Sequence, residues 1–461
     1  MQNVHSLDAT RDAGLDHTAA EQTIDDPTTG LVRPEAGGHA ADGQTLTGTR
    51  LWIALGVLAL GGFGLGASEF VSMGLLPQIA GGLLPDAYAA DPHTGIAQAG
   101  WLISSYALGV VVGAPVFAVL GARLSRTRLL QGLLAVLIIG TLASALLPSF
   151  ATVLGARFLA GLPHGAYLGL AALVAGSLMG PGNQGRGIAV ALSGLTIANV
   201  LGVPAMTALG QAFGWRLAYL VAAAIFAVTL VGVALTVPHE DPDPRVNPRG
   251  ELRALRSGQL WVVLGLAAVG FGGFFAVYSY LAEVTTQVAG LDAALVPVVL
   301  AVVGLGMTAG NALGGRAADG NGPLALVIGF VSLVVTMLLF GWLSVSAPGL
   351  VVAAFLVGAN VMFVGPPIQS RLIDMAGPAR MMAASLNHSA FNVGNALGAL
   401  FGGQVIALGF GYRAPALVGA SMAAGGLLIT LVSLRLERAQ SAPAVPQPDA
   451  RTRELVEPGV G

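Results

Sequence analysis

LWIALGVLALGGFGLGASEFVSMGLLPQIAGGL, residues 51–83, is an apolar run with a single charged residue, Glu69. About 20 such residues cross the hydrocarbon core of a bilayer as a helix, so the run reads as a membrane span. A carboxylate at that depth costs roughly 2.5–3.5 kcal/mol on insertion scales and is kept where it faces a cavity or a partner. Two readings follow for Glu69. It is a protonated group hydrogen-bonded to a neighbouring helix, or it is a proton or substrate site. The rest of the chain decides between them.

The 461 residues are 55% hydrophobic and 10% charged, with mean hydropathy +0.77. Soluble chains carry about 25% charged residues, so most of this apolar surface is solvated by lipid. A net charge of -2 gives no electrostatic case for nucleic acid. Cysteine is absent, which removes disulfides, thiolate catalysis and cysteine–metal sites. All 21 basic residues are arginine, which removes a phosphate-loop lysine and a Schiff base. No metal, phosphate or nucleophile constellation appears, so an enzyme and a bound cofactor are not expected.

Residues 1–50 carry eight acids against three arginines and no hydrophobic periodicity, the composition of a disordered tail. The first run starts behind this tail and is too long for a cleaved signal peptide. Further apolar runs lie near 97–120, 128–147, 151–178, 187–212 and 216–237. Beyond a charged, proline-rich linker at 238–257 they resume near 259–286, 293–315, 323–345, 349–372, 381–408 and 414–435. The expectation is an all-α integral membrane protein. It has twelve spans in two six-helix bundles, 51–237 and 258–437, and a polar tail at 438–461. With both termini cytoplasmic, only Arg216 and Arg413 lie outside and Arg157 lies within a span, leaving eighteen arginines inside. The positive-inside rule selects that orientation.

Repeats support the division. Phe213-Gly214-Trp215-Arg216 leads into span six and Phe410-Gly411-Tyr412-Arg413 into span twelve. Small residues recur four apart in every third span: Gly109 and Gly113; Gly194, Ala198 and Gly202; Gly306, Gly310 and Gly314; Gly394, Gly398 and Gly402. Such rows let helix backbones approach closely. Their return suggests a three-helix unit used four times, a plan found in transporters built from repeats.

Polar residues inside the spans are the candidate machinery. Span four carries Arg157, His164 and Tyr167, with Arg157 and His164 on one face. Counted from the outer boundary, Arg157 lies roughly 10 Å deep, Glu69 about 16 Å and His164 roughly 20 Å, so Glu69 can pair with either. Making or breaking an arginine contact changes a buried carboxylate's hold on its proton. Span eleven bears the stripe His388, Asn392 and Asn395; Asn199, Tyr278 and Asn360 stand in spans five, seven and ten. His164, Tyr167, Asn199, Tyr278, Asn360, His388 and Asn392 are the candidate substrate-binding residues, against the plainer reading of interhelical hydrogen bonds. Glu283, near the outer end of span seven, is expected to meet water. That leaves Glu69 as the carboxylate near mid-membrane. Pro163 is expected to kink span four.

At these residues the chain resembles the major facilitator superfamily over roughly 51–437, in its twelve-helix drug:proton antiporter branch, and within it the arabinose-efflux and chloramphenicol-efflux permeases. Ala67-Ser68-Glu69-Phe70-Val71-Ser72-Met73-Gly74-Leu75-Leu76-Pro77 resembles that branch's first-span signature. Arg157-Phe158-Leu159-Ala160-Gly161-Leu162-Pro163-His164-Gly165-Ala166 is similar to its fourth-span motif, whose arginine is linked to proton coupling. Residues Ser193 to Pro204 are similar to its fifth-span antiporter motif, with Val203 parting the usual Gly-Pro pair. Gly121 to Arg128 stands where the loop 2–3 motif belongs. Arg123, Arg126 and Arg128 match its basic positions, and the family's aspartate is missing.

The resemblance implies alternating access, with spans one, four, seven and ten around the cavity, and a gating role for Arg123, Arg126 and Arg128. The expected activity is proton-coupled efflux of a small neutral or amphipathic solute, such as a chloramphenicol-like drug or a sugar. Glu69 carries the proton and Arg157 tunes it. The proton gradient stands in for a cofactor, and the expected form is a monomer in the plasma membrane. The alternatives are a sugar or metabolite uniporter or importer, and a non-transporting sensor signalling through the acidic tail.

Overall fold

Glycine, proline and small polar caps cut the apolar sequence into helices of membrane length. The structure, a computed structural model, describes residues 46–121, 124–180, 182–239, 258–376 and 380–441. The expected tail before residue 46, the linker residues 240–257 and the tail after Ser441 lie outside the described residues, as does Arg123. Among the described residues there is no strand. Among the same residues eleven helices are long and apolar enough to cross a membrane. One of them, Ala293–Leu343, has 51 residues, or roughly 75 Å of helix against a core of about 30 Å. It divides at Asn321, whose backbone is non-helical at φ -147°, ψ 86°. The Asn321 side chain accepts from the Leu324 amide at 3.0 Å, a cap for the returning helix. Spans eight (296–320) and nine (322–343) are therefore a hairpin, and the total among the described residues is twelve.

The other spans are Gly48–Gly74, Trp101–Gly121, Arg126–Leu146, Phe150–Met179, Gln184–Phe213, Trp215–Thr236, Gly258–Tyr278, Ala347–Ala376, Arg380–Val405 and Ala414–Ser441. Large apolar side chains such as Leu146, Leu235 and Trp342 stay exposed, the lipid-facing surface that the composition demanded.

Each glycine row meets a backbone. A Cβ on Gly109 or Gly113 would collide with the carbonyls of Phe158 and Leu162, so span two lies on span four. Gly194 meets the Ala59 carbonyl, placing span five on span one. Gly306, Gly310 and Gly314 meet Phe355, Ala359 and Phe363 of span ten; Gly394, Gly398 and Gly402 meet Ala268, Gly272 and Ala276 of span seven. The rows thus seat spans two, five, eight and eleven on spans four, one, ten and seven.

The arginine repeat is structural as well. Gly214 and Gly411 take positive φ, 96° and 76°, which suits residues without a Cβ. Arg216 then donates from Nη1 to the Ala145 and Leu147 carbonyls at the end of span three, at 2.8 and 3.0 Å. Arg413 donates from Nε to the Gly341 carbonyl near the end of span nine, at 2.6 Å. Each arginine caps the end of a span in the same relative place.

Span four breaks at Leu162 and Pro163, into Phe150–Gly161 and His164–Met179. Proline lacks the N–H needed to continue the ladder, so the helix is interrupted at the residue expected to kink it. Span five loosens into a π-turn at Ala198–Gly202 just before Pro204. Here span five touches span eight: a Cβ on Gly304 would strike the Asn199 carbonyl. Span two touches span eleven, where the Ser104 hydroxyl donates to the Ala396 carbonyl at 3.1 Å. These two contacts link the first six spans to the last six.

Candidate functional site: a buried carboxylate between spans one, four and eleven

Glu69 is buried on span one, within the run Gly61–Gly74 that is buried almost throughout. Glycine and alanine at 61, 62, 64, 66 and 67 bring spans four, five and six close around it; a Cβ on Gly66, for instance, would press on Ala198 and Leu195 of span five. The carboxylate has two near partners. Asn395 Nδ2 donates to Oε1 at 3.1 Å from span eleven. His164 Nδ1 lies 3.7 Å from Oε2, on span four just past the break. Glu69 therefore touches one polar group from each half of the chain.

The expected contact with Arg157 is not made. Arg157 is fully buried at 0% exposure, and its Nε, Nη1 and Nη2 have no hydrogen-bond partner. Its guanidinium lies over the Tyr106 ring at 4.3 Å and the Tyr219 ring at 5.2 Å. A desolvated cation over an aromatic face gains about 2 kcal/mol, which offsets part of the cost of burying it. The charge reaches Glu69 through space, not by contact. Depth along a helix was the right measure for proximity, but it carried no information about rotation. The His164 side chain faces Glu69 and the Arg157 side chain faces the tyrosines.

Tyr106 and Tyr219 were missed in the sequence. Tyr106 shares a hydrogen bond with His164 Nδ1 at 2.9 Å, and Tyr219 shares one with Ser72 at 2.7 Å. The result is a buried chain of groups, Asn395, Glu69, His164, Tyr106, Arg157 and Tyr219, drawn from spans eleven, one, four, two, four and six. Asn395 was visible as the third member of the His388/Asn392/Asn395 stripe. Lone tyrosines in spans two and six carry no such signal.

The remaining candidates divide. His388 stands on span eleven opposite span four: a Cβ on Gly165 would stand 3.9 Å from the His388 Cβ. Asn392 is buried, donates to the His388 carbonyl at 3.0 Å and leaves its Oδ1 unpartnered. Tyr278 packs beside Glu69's neighbour, edge-on to Phe70 at 5.7 Å and stacked on Phe274 at 4.8 Å. Asn199 is buried in the span-five π-turn with its Oδ1 unpartnered. Tyr167 and Asn360 do not join. The Tyr167 hydroxyl donates to the Leu58 carbonyl at 3.0 Å, and Asn360 ties span ten to Thr336 of span nine at 3.0 Å. Arg126 and Arg128 sit at the opposite end of span three, where Ser125 accepts from the Arg128 amide at 3.4 Å. There the Thr127 hydroxyl donates to the Pro238 carbonyl at 2.7 Å, fastening the loop to the end of span six. Among the described residues no three His, Asp or Glu side chains gather as a metal would need.

Glu283 departs from expectation. It is 2% exposed, and neither carboxylate oxygen has a hydrogen-bond partner. The short helices Pro85–Ala90 and Pro92–Ala99, between spans one and two, help wall it off from solvent.

Comparison with known proteins agrees with this architecture. Residues 58–380 match the family model of the Major Facilitator Superfamily. The chain is 37% identical over 381 residues to the inner membrane transport protein YdhP of Escherichia coli (strain K12), covering 82% of this chain and 95% of that one. It is 30% identical over 386 residues to a chloramphenicol resistance protein of Streptomyces lividans, covering 83% and 95%. The fold is also like that of a crystallised D-xylose-proton symporter, with a TM-score of 0.67 at 18% identity over 84% of this chain and 97% of that one. Twelve spans, glycine rows that return every third span and a match across most of the length have one reading: the chain belongs to the major facilitator superfamily, as a multi-pass membrane transporter and not an enzyme.

Proposed function

We propose that this transporter exports a small neutral or amphipathic solute in exchange for protons, with Glu69 as the proton carrier. The observation that carries the reading is Glu69's position between the halves, held by Asn395 on span eleven and beside His164 on span four. Alternating access requires the contacts between the halves to open and close, and such an opening would change the partners of this carboxylate in each cycle. Arg157 supplies a fixed positive field nearby without neutralising the carboxylate by contact. A proton delivered from one side and released to the other is then coupled to the same movement that exposes the solute. His388, Asn392, Asn199 and Tyr278 offer neutral polar and aromatic groups for that solute. Arg126 and Arg128 sit where the loop 2–3 gate would act.

The protein works as a monomer in the inner membrane with both termini cytoplasmic, driven by the proton gradient and without a cofactor. The name of the Streptomyces relative supplies the first probe. In everted vesicles, chloramphenicol addition is expected to cause proton movement with the wild-type protein. Glu69→Gln abolishes both that movement and drug accumulation. Accumulation against a gradient by Glu69→Gln would exclude Glu69 as the carrier.

A further inference from the structure

Glu283 poses a second problem of the same kind at a different depth. It lines a cavity of about 290 Å³ between the Tyr88–His93 segment and the start of span twelve. The cavity's rings are Tyr88, His93 and Tyr412, and its other acid is Asp91; no arginine lines it. His93 and Tyr412 meet edge to face at 4.9 Å. Asp91 is already occupied, accepting from the His93 and Thr94 amides and the Thr94 hydroxyl. Glu283 is not: both oxygens are buried, and neither accepts a hydrogen bond from another residue. Ionised or protonated, a buried carboxyl in this state leaves hydrogen-bonding capacity unmet, which native structures rarely tolerate. A cation drawn into the cavity would offset the desolvation of the ionised carboxylate, a Coulombic gain that needs no N–H donor.

We infer that this cavity is a binding site for a small organic monocation, an amine or quaternary ammonium compound, with Glu283 as its counter-charge and Tyr88, His93 and Tyr412 as its aromatic walls. Carboxylate plus ring faces is the recognition chemistry of ammonium groups. Burial, and then the charge of Glu283, raise both tyrosine hydroxyls above their ordinary titration. The walls are therefore neutral rings, and the acid among them not already bonded to other residues is Glu283. A metal ion fits less well, because the acids and His93 do not gather into a ligand set. The site is separate from the Glu69 chain of groups and stands whether or not that chain carries protons.

The test uses the full-length protein in phosphatidylglycerol nanodiscs, whose headgroups carry no amine, with choline as the probe and calorimetry as the readout. Saturable choline binding is expected, with none for choline's uncharged tert-butyl isostere. Glu283→Gln and Tyr412→Leu each weaken binding by about tenfold or more, equivalent to about 1.4 kcal/mol, whereas Glu69→Gln leaves it unchanged. Two variants on different elements guard against a single misfolded one. No saturable binding to the wild type, equal binding of the isostere, or unchanged binding to Glu283→Gln overturns the proposal. So does loss of choline binding when phosphatidylethanolamine replaces part of the lipid, since the occupant would then be a headgroup.

Discussion

Glu69 and Glu283 are two buried glutamates, one on span one and one in the short helix Leu281–Glu283 that follows span seven, so they belong to the paired first helices of the two six-span sets. Their surroundings differ. Glu69 is bonded to an amide, lies beside an imidazole and sits in the field of a buried guanidinium. Glu283 has aromatic rings, a cavity and no donor. The first carboxylate is embedded in a continuous polar chain that crosses from one half to the other, as a group that exchanges protons during a movement would be. The second belongs to a residue in the wall of a space of ligand size. Burial alone does not give a carboxylate its task; what it faces does.

Exchanging the two glutamates for glutamine gives the largest expected contrast. Glu69→Gln reduces chloramphenicol accumulation in everted vesicles to the level of vesicles without the protein, while Glu283→Gln keeps most of it. Equal loss in both would erase the distinction. Removing the cross-half bond with Asn395→Leu forfeits about 0.5–1.5 kcal/mol when the Glu69 carboxyl holds its proton and about 1.5–3 kcal/mol when it does not. Export is expected to slow by roughly an order of magnitude with the protein still folded, as judged by initial rates at matched expression.

Gly398→Leu attacks the seating of span eleven, one turn from Asn395, where a Cβ would strike the Gly272 carbonyl. Overpacking costs about 1–3 kcal/mol, and the thermal midpoint in detergent falls accordingly, with choline binding lost only at temperatures where unfolding begins.

The smallest effect concerns the wall of the second cavity. The Thr94 side chain, followed by the backbone amides, holds the Asp91 carboxyl below its ordinary 3.8. A depressed native value stabilises the Pro92–Ala99 helix above the unfolded value and is lost as pH falls through the native one. Choline affinity is therefore expected to carry a small Asp91-dependent decline only below about pH 4. Asp91→Asn removes that component and changes little at neutral pH.

Much of the fold was legible because lipid imposes a length on every crossing and the repeats announce their period. The glycine rows were visible, but the spans they would meet were not, since one-dimensional spacing marks a face without naming its partner. Pro163 marked the interruption of span four because proline's effect is local. Arg157 was misassigned to Glu69 because helix rotation depends on packing from all sides; two tyrosines, unremarkable in the sequence, claimed it. Glu283 was expected in water because counting residues from a span's end assumes the membrane surface lies there. Two short helices from another part of the chain cover that end, and nothing within span seven foretells them.

The break at Leu162 and Pro163 has a mechanical consequence. Gly109 and Gly113 of span two rest on the Phe158 and Leu162 carbonyls, on the rim of that break. Span two is in turn bonded through Ser104 to the Ala396 carbonyl, next to Glu69's partner Asn395. A bend in span four therefore cannot stay in span four. Span two would take up the push like the arm of a lever and pass it, through Ser104, to the helix whose Asn395 holds the carboxylate.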